Sequence, residues 1–271
     1  MIQIPPLGTI TSAWSFPGIA GPEKADTIDL GSVLLLALLP ALGSLIGVGL
    51  AEWRKPPPWL VGGAMHAAAG LATAVAALEL VPRAMERIEI WLLAVGLVCG
   101  SLASVGIARL SRAISTSLPS NRIRATTVGA YVAIGVDLLT DGLMTGSGAA
   151  VAASLGVLLA ASQVIGNLPG GFAIAANFRA AAMPRTQRMV MLSAYPMLPV
   201  LGAAAGYVAL KDAGDFATGI TLAVLAGLLL TATIEEIVPE ADEPGASRRI
   251  SSPAFAGGFA MLLLFSAYLS P

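Results

Sequence analysis

Asp137 and Asp141 stand four residues apart in Gly135-Val-Asp137-Leu-Leu-Thr-Asp141-Gly142, in the middle of a long apolar stretch. On a helix that spacing puts both carboxylates on one face, one turn apart. Gln163 and Asn167 repeat the spacing further on and are followed by Leu168-Pro169-Gly170-Gly171. Pro169 has no backbone N–H, so a helix break at Pro169 and Gly170 is expected, with the carbonyls around Ile165 and Gly166 freed. Two carboxylates, two amides and a freed carbonyl make an all-oxygen pocket. Such a pocket suits a hard or borderline divalent cation, which makes Asp137, Asp141, Asn167 and Gln163 the candidate metal ligands. For either amide alone, a hydrogen bond between helices is the simpler use.

The elements that must position these groups are membrane helices. The chain has 271 residues, of which 56% are hydrophobic and only 11% charged, and its mean hydropathy is +0.82. An average soluble domain has about a quarter of its residues charged. The lipid bilayer is the implied surrounding, and nothing points to nucleic acid. An Asp at the centre of a membrane helix costs about 2.5–3.5 kcal/mol on insertion scales, so two on one stripe imply an ion or substrate pathway. Cys99, the one cysteine, lies in an apolar segment and rules out an internal disulfide framework. Residues 1–28 read as an extramembrane tail, without the basic start of a signal peptide, and 29–271 as one transmembrane domain.

Runs of about 20 apolar residues, enough to cross the roughly 30 Å hydrocarbon core, fall at 30–51, 59–82, 90–110, 126–145, 149–178, 188–210, 217–238 and 253–270. The fold class is therefore an all-α membrane protein with eight transmembrane helices. Loops one, three, five and seven hold 11 of the 15 Lys and Arg residues, among them Arg54, Lys55, Arg112, Arg179 and Arg188. Basic loops stay cytoplasmic, which places both termini outside. Ala69-Gly70-Leu71 precedes Glu79-Leu80-Val81-Pro82 at the same distance as Ala226-Gly227-Leu228 precedes Glu236-Ile237-Val238-Pro239. The two motifs lie on oppositely directed helices, which indicates an inverted repeat with a site near the midplane.

Other polar groups are less specific. Glu235, Glu236 and Glu240 sit in an acidic cluster on the cytoplasmic side that would draw an exiting cation or serve only as a solvated loop. Glu79, the repeat counterpart of Glu236, is a candidate for the same pathway or an interfacial carboxylate. His66, the only histidine, reads as a helix contact. No His-Glu-x-x-His or Gly-x-Ser-x-Gly pattern occurs, so an enzyme is not expected.

Together these features resemble the ZIP (Zrt/Irt-like) metal transporters. The fifth helix carries Gly166-Asn167-Leu168-Pro169-Gly170-Gly171 where that family has His-Asn-x-Pro-Glu-Gly, and the fourth carries Asp137-Leu138-Leu139-Thr140-Asp141-Gly142. The seventh ends Glu235-Glu236-Ile237-Val238-Pro239-Glu240, close to the family's Glu-x-x-Pro-Glu. Asp137 thus falls at a His position and Asp141 at a Glu position, while Gly166 and Gly170 replace the fifth-helix His and Glu.

The resemblance implies a ZIP-like bundle in the bacterial inner membrane that moves zinc, iron or manganese by alternating access around a midplane carboxylate site. The transported ion would be the only metal, with no organic cofactor, and a homodimer stays open. Two other readings also stay open: a degenerate homologue that binds or senses a cation without moving it, and a permease in which the aspartates share protons.

Overall fold

A computed structural model describes residues 28–53, 57–117, 122–242 and 247–269. The tail at 1–28, apart from Ile28, and the expected loop charges Arg54 and Lys55 lie outside the described residues. Helices account for nearly all of the rest, as they must where lipid offers backbone groups no hydrogen bonds. Eight are long and apolar enough to cross a membrane: α1 Leu30–Trp53, α2 Pro58–Met85, α3 Ile90–Leu110, α4 Thr127–Val151, α5 Ala153–Ala180, α6 Arg185–Leu210, α7 Asp215–Asp242 and α8 Arg248–Ser266. Each overlaps its expected run. The protein is a multi-pass membrane protein, and exposed side chains such as Val98, Leu102 and Leu264 form its lipid-facing surface.

Charge and turn chemistry define the ends. Asp29 caps α1, accepting from the Ser32 N–H at 3.2 Å and from the Ser32 hydroxyl at 2.6 Å. Those bonds hold its carboxyl below the usual carboxylate range. Between α4 and α5 the chain turns at Ala152 alone, whose extended backbone separates the two helices.

Four close pairs make the bundle: α1 on α5, α4 on α6, α2 on α8 and α3 on α7. Small residues let the backbones touch. A Cβ added to Gly47 on α1 would meet the Leu168 carbonyl on α5, and one on Gly202 of α6 would meet the Leu139 carbonyl on α4, both closer than 3.0 Å. Likewise Gly100 of α3 rests on the Val224 carbonyl of α7, and Gly258 of α8 on the Ala67 carbonyl of α2. These contacts exchange in register if α1–α3 are swapped with α6–α8 and α4 with α5. The inverted repeat is thus present in the packing as well as in the α2 and α7 motifs.

It is present in the backbone too. α2 widens into a π-turn over Ala76–Leu80, and α7 does the same over Thr233–Ile237. In each the closing bond runs five residues back, from Val81 N–H to the Ala76 carbonyl and from Val238 N–H to the Thr233 carbonyl. A proline follows each turn, Pro82 and Pro239, and the wider turn accommodates the ring that an α-turn would clash with.

The expected break at Pro169 and Gly170 does not interrupt the helix. α5 runs as one helix from Ala153 to Ala180 with Pro169 inside it. Beside it lies α1, with Gly43 resting on the Val164 backbone and Gly47 on Leu168 and Gly171, so a neighbouring backbone supports the helix around the proline. Membrane helices tolerate proline where neighbours supply that support.

Candidate functional site

The two repeats are not packed identically. α2 lies along α5, whereas its repeat counterpart α7 touches α4 at few points. The space left beside α7 is a cavity of about 440 Å³, walled by α2, α3, α4, α5 and α7. Its mouth lies at the ends of α3 and α7, where Arg112, Glu235, Glu236 and Glu240 line it. Its blind end is apolar. Leu71, Met144 and Leu159 belong both to the cavity wall and to a core that continues through Leu155, Leu158, Leu222 and Leu225.

Asp137 and Asp141 share the α4 face of this cavity, as their spacing predicts, but their surroundings differ. Asp141 is buried, and its Oδ2 accepts from Asn167 Nδ2 at 2.5 Å. Asp137 is open to the cavity, deep inside the bundle, and Glu236 and Glu240 are near enough to repel it. The gathering of acids leaves a strong negative field in a low-dielectric wall, which favours a cation at this point.

The amides act differently from one another. Gln163 lines the cavity, but its Nε2 donates to the Asp141 carbonyl at 3.2 Å and its Oε1 accepts from the Thr145 hydroxyl at 2.8 Å. Both ends of its amide thus join α5 to α4, the helix-contact use open to it from sequence. Asn167 spends an amide N–H on Asp141, and among the described residues no hydrogen bond engages its side-chain oxygen. Gly166 and Gly170 line the cavity, whereas the Ile165 side chain packs against the apolar core.

The remaining acids separate into two places. Glu235, Glu236 and Glu240 stand at the mouth, exposed. Glu79 lies away from the cavity, buried, and takes Arg83 Nη2 at 3.1 Å and the Ser266 hydroxyl of α8 at 2.6 Å. His66 is a helix contact: Nδ1 lies 2.8 Å from the Gly62 carbonyl and Nε2 3.3 Å from Asp242 Oδ1. Among the described residues, no three His, Cys, Asp or Glu side chains converge closely enough to hold a metal by themselves.

Three cavity residues fall outside the expected site residues. Arg112, a loop charge in the sequence, lines the mouth together with the acids. Thr140 and Ser162 are cavity hydroxyls whose hydrogens go to carbonyls of their own helices, Val136 and Leu159, at 3.0 and 2.7 Å. Thr140 lies between the two aspartates, and Ser162 precedes Gln163, so proximity to the Asp137 and Asn167 stripes was the available signal.

No family model matches the chain. Among curated proteins it is similar to the zinc transporter ZupT of Corynebacterium aurimucosum, with 25% identity over 240 residues that cover 81% of this chain and 91% of that protein. The similarity supports the ZIP resemblance of the α4, α5 and α7 motifs.

Proposed function

We propose that this chain is a ZIP-type permease that moves a divalent cation of the zinc, iron or manganese class by alternating access. The observation that carries the reading is the cavity: it enters from an acidic mouth, reaches Asp137 and Asp141, and ends against a packed apolar core within a fold made of two inverted repeats. A protein with such repeats can exchange which half is open while the site between them stays the same.

Asp137 and Asp141 are the anionic ligands in this reading, Asn167 contributes a neutral oxygen, and Gln163 holds Asp141 in place. Glu235, Glu236 and Glu240 draw the ion to and from the mouth. The Arg-bearing ends of α3 and α5 lie on the mouth side, so basic-loop bias makes that side cytoplasmic, the state inward-open and both termini external. Glu79 then lies in the closed external half, where its bond to Arg83 ties up the carboxylate.

Movement has a natural division. α1, α4, α5 and α6 pack as one group, and the cytoplasmic end of α1 is bound to α5 and α6 by Arg179 Nη1 on the Ala51 carbonyl at 2.7 Å and by Arg188 on Glu52. The other group is α2, α3, α7 and α8. Displacement of one group against the other would close the mouth and open the far side.

Vesicles with purified protein, loaded with a divalent-ion dye and challenged with Zn²⁺, Mn²⁺ and Fe²⁺, test the reading. Uptake is expected for wild type and should be lost in Asp137→Asn and Asp141→Asn, both still folded. Unchanged uptake in both variants would sink the assignment. Cation binding without uptake would favour a sensor, for which the missing acid of α5 is the motivating observation.

A further inference from the structure

At Gly166 and Gly170 the α5 wall of the site is bare backbone. A Cβ on Gly166 would have nothing within 4 Å, and one on Gly170 would touch only Ile134 at 3.8 and 4.0 Å, an ordinary contact. The glycines therefore leave open space beside the carboxylates and do not serve close helix packing, unlike Gly171, whose Cβ would collide with the α1 backbone.

The protein can offer a cation few direct ligands at this position. Asp137 supplies two oxygens. Asp141 has Oδ1 left over from its bond to Asn167, and Asn167 has its carbonyl oxygen. Gln163 is committed at both ends. Octahedral magnesium-type ions need six oxygens, and they give up water reluctantly. Thr140 and Ser162, by contrast, suit bound water: their hydrogens are engaged, so their lone pairs face the cavity as acceptors for the strongly acidic hydrogens of metal-bound water. The cavity has the space. Six waters occupy roughly 180 Å³ at about 30 Å³ each, well within about 440 Å³.

We infer that the site takes its cation partly hydrated, with water filling the face left bare by Gly166 and Gly170, and that it thereby admits magnesium- and manganese-type ions with little preference for zinc. This inference rests on the divalent-cation reading of the same site. Ligand softness is the usual basis of zinc preference, and neither imidazole nor thiolate borders the cavity. The two glycines set the hydration and hence the selectivity.

Mn²⁺ bound to the purified protein in nanodiscs provides the test, because water-proton relaxation enhancement counts the exchangeable waters on the bound ion. Wild type is expected to show a large enhancement that disappears in Asp137→Asn/Asp141→Asn, and Zn²⁺ and Mn²⁺ affinities within about tenfold of each other. Gly166→His/Gly170→Glu should displace water, lowering the enhancement, and widen the gap in favour of Zn²⁺ by more than about tenfold. Gly166→Ala and Gly170→Ala, which fit the space with one atom each, should lower the enhancement if the double variant does not fold. Mn²⁺ bound without exchangeable water, or a strong Zn²⁺ preference already in wild type, overturns the inference and leaves the permease reading standing. No binding that depends on the aspartates overturns both.

Discussion

Asn167 on α5 donates its Nδ2–H to Oδ2 of Asp141 on α4 at 2.5 Å, joining the two central helices at the buried end of the cavity. The bond is made by a pair that the repeat does not mirror, since Asn167 has Leu138 as its α4 counterpart. Its loss leaves a buried carboxylate short of a partner, which costs about 1–3 kcal/mol or more for a charged group. Asn167→Leu is therefore expected to lower the thermal midpoint in detergent and to weaken cation binding together. Asn167→Ser, with a shorter donor, should fall between. A variant that loses binding at an unchanged midpoint would show that Asn167 serves only as a ligand.

The two aspartates should separate in the same assay. Asp141 is buried and bonded, whereas Asp137 has an open carboxylate facing Glu236 and Glu240. Asp137→Asn removes a like charge and no hydrogen bond, so it should raise the midpoint or leave it unchanged while cation binding falls by more than about tenfold. Asp141→Ala should lower the midpoint, because Asn167 loses its acceptor. Equal destabilisation by both changes would contradict the unequal surroundings.

The repeat makes a prediction for the half opposite the mouth. Glu79 occupies the position of Glu236 on the opposite repeat, and Arg83 the position of Glu240, so an ion pair stands where the mouth has two acids. Arg83→Glu restores the acidic pair and places like charges one turn apart, 93% of the Glu79 side chain being withdrawn from solvent. In the proposed orientation, the half opposite the mouth is expected to open more often. A cysteine placed at Leu158 or Leu225 in the apolar core should then react faster with a membrane-impermeant thiol reagent added outside, and Glu79→Gln should suppress the increase. Rates equal to those of the parent would show that the ion pair does not hold this half closed.

The spans were legible in the sequence because lipid imposes long apolar runs, and the α2 and α7 motifs exposed the repeat. What lay hidden was rotation. In a membrane helix both the lipid face and the packed face are apolar, so Leu102 facing lipid and Leu158 in the core look alike until neighbours are known. The same blindness concealed that Arg112 lines the cavity, whereas the helix contacts made by both ends of the Gln163 amide are the simpler use its sequence setting offers. Pro169 is hard to read for a different reason. Proline removes a hydrogen bond, but whether the helix is interrupted depends on its support, and the α1 backbone lies against it at Gly43 and Gly47. The real widenings precede Pro82 and Pro239, where the sequence shows the proline but not the π-turn before it.

The mirrored glycine contacts supply a test of the repeat that involves no transport. Gly100 and Gly258 touch carbonyls on partner helices from opposite repeats, Val224 and Ala67, whereas Gly106 and Gly257 have open space at Cβ. A side chain at either tight site forces two backbones apart, and overpacking typically costs about 1–3 kcal/mol. Gly100→Val and Gly258→Val should therefore reduce the thermal midpoint and the monodisperse yield to similar degrees, while Gly106→Ala and Gly257→Ala, with no neighbour to displace, should leave both unchanged. If only one of the tight pair proves sensitive, the α2–α8 and α3–α7 contacts are not equivalent supports, and the half that tolerates the valine is the looser one.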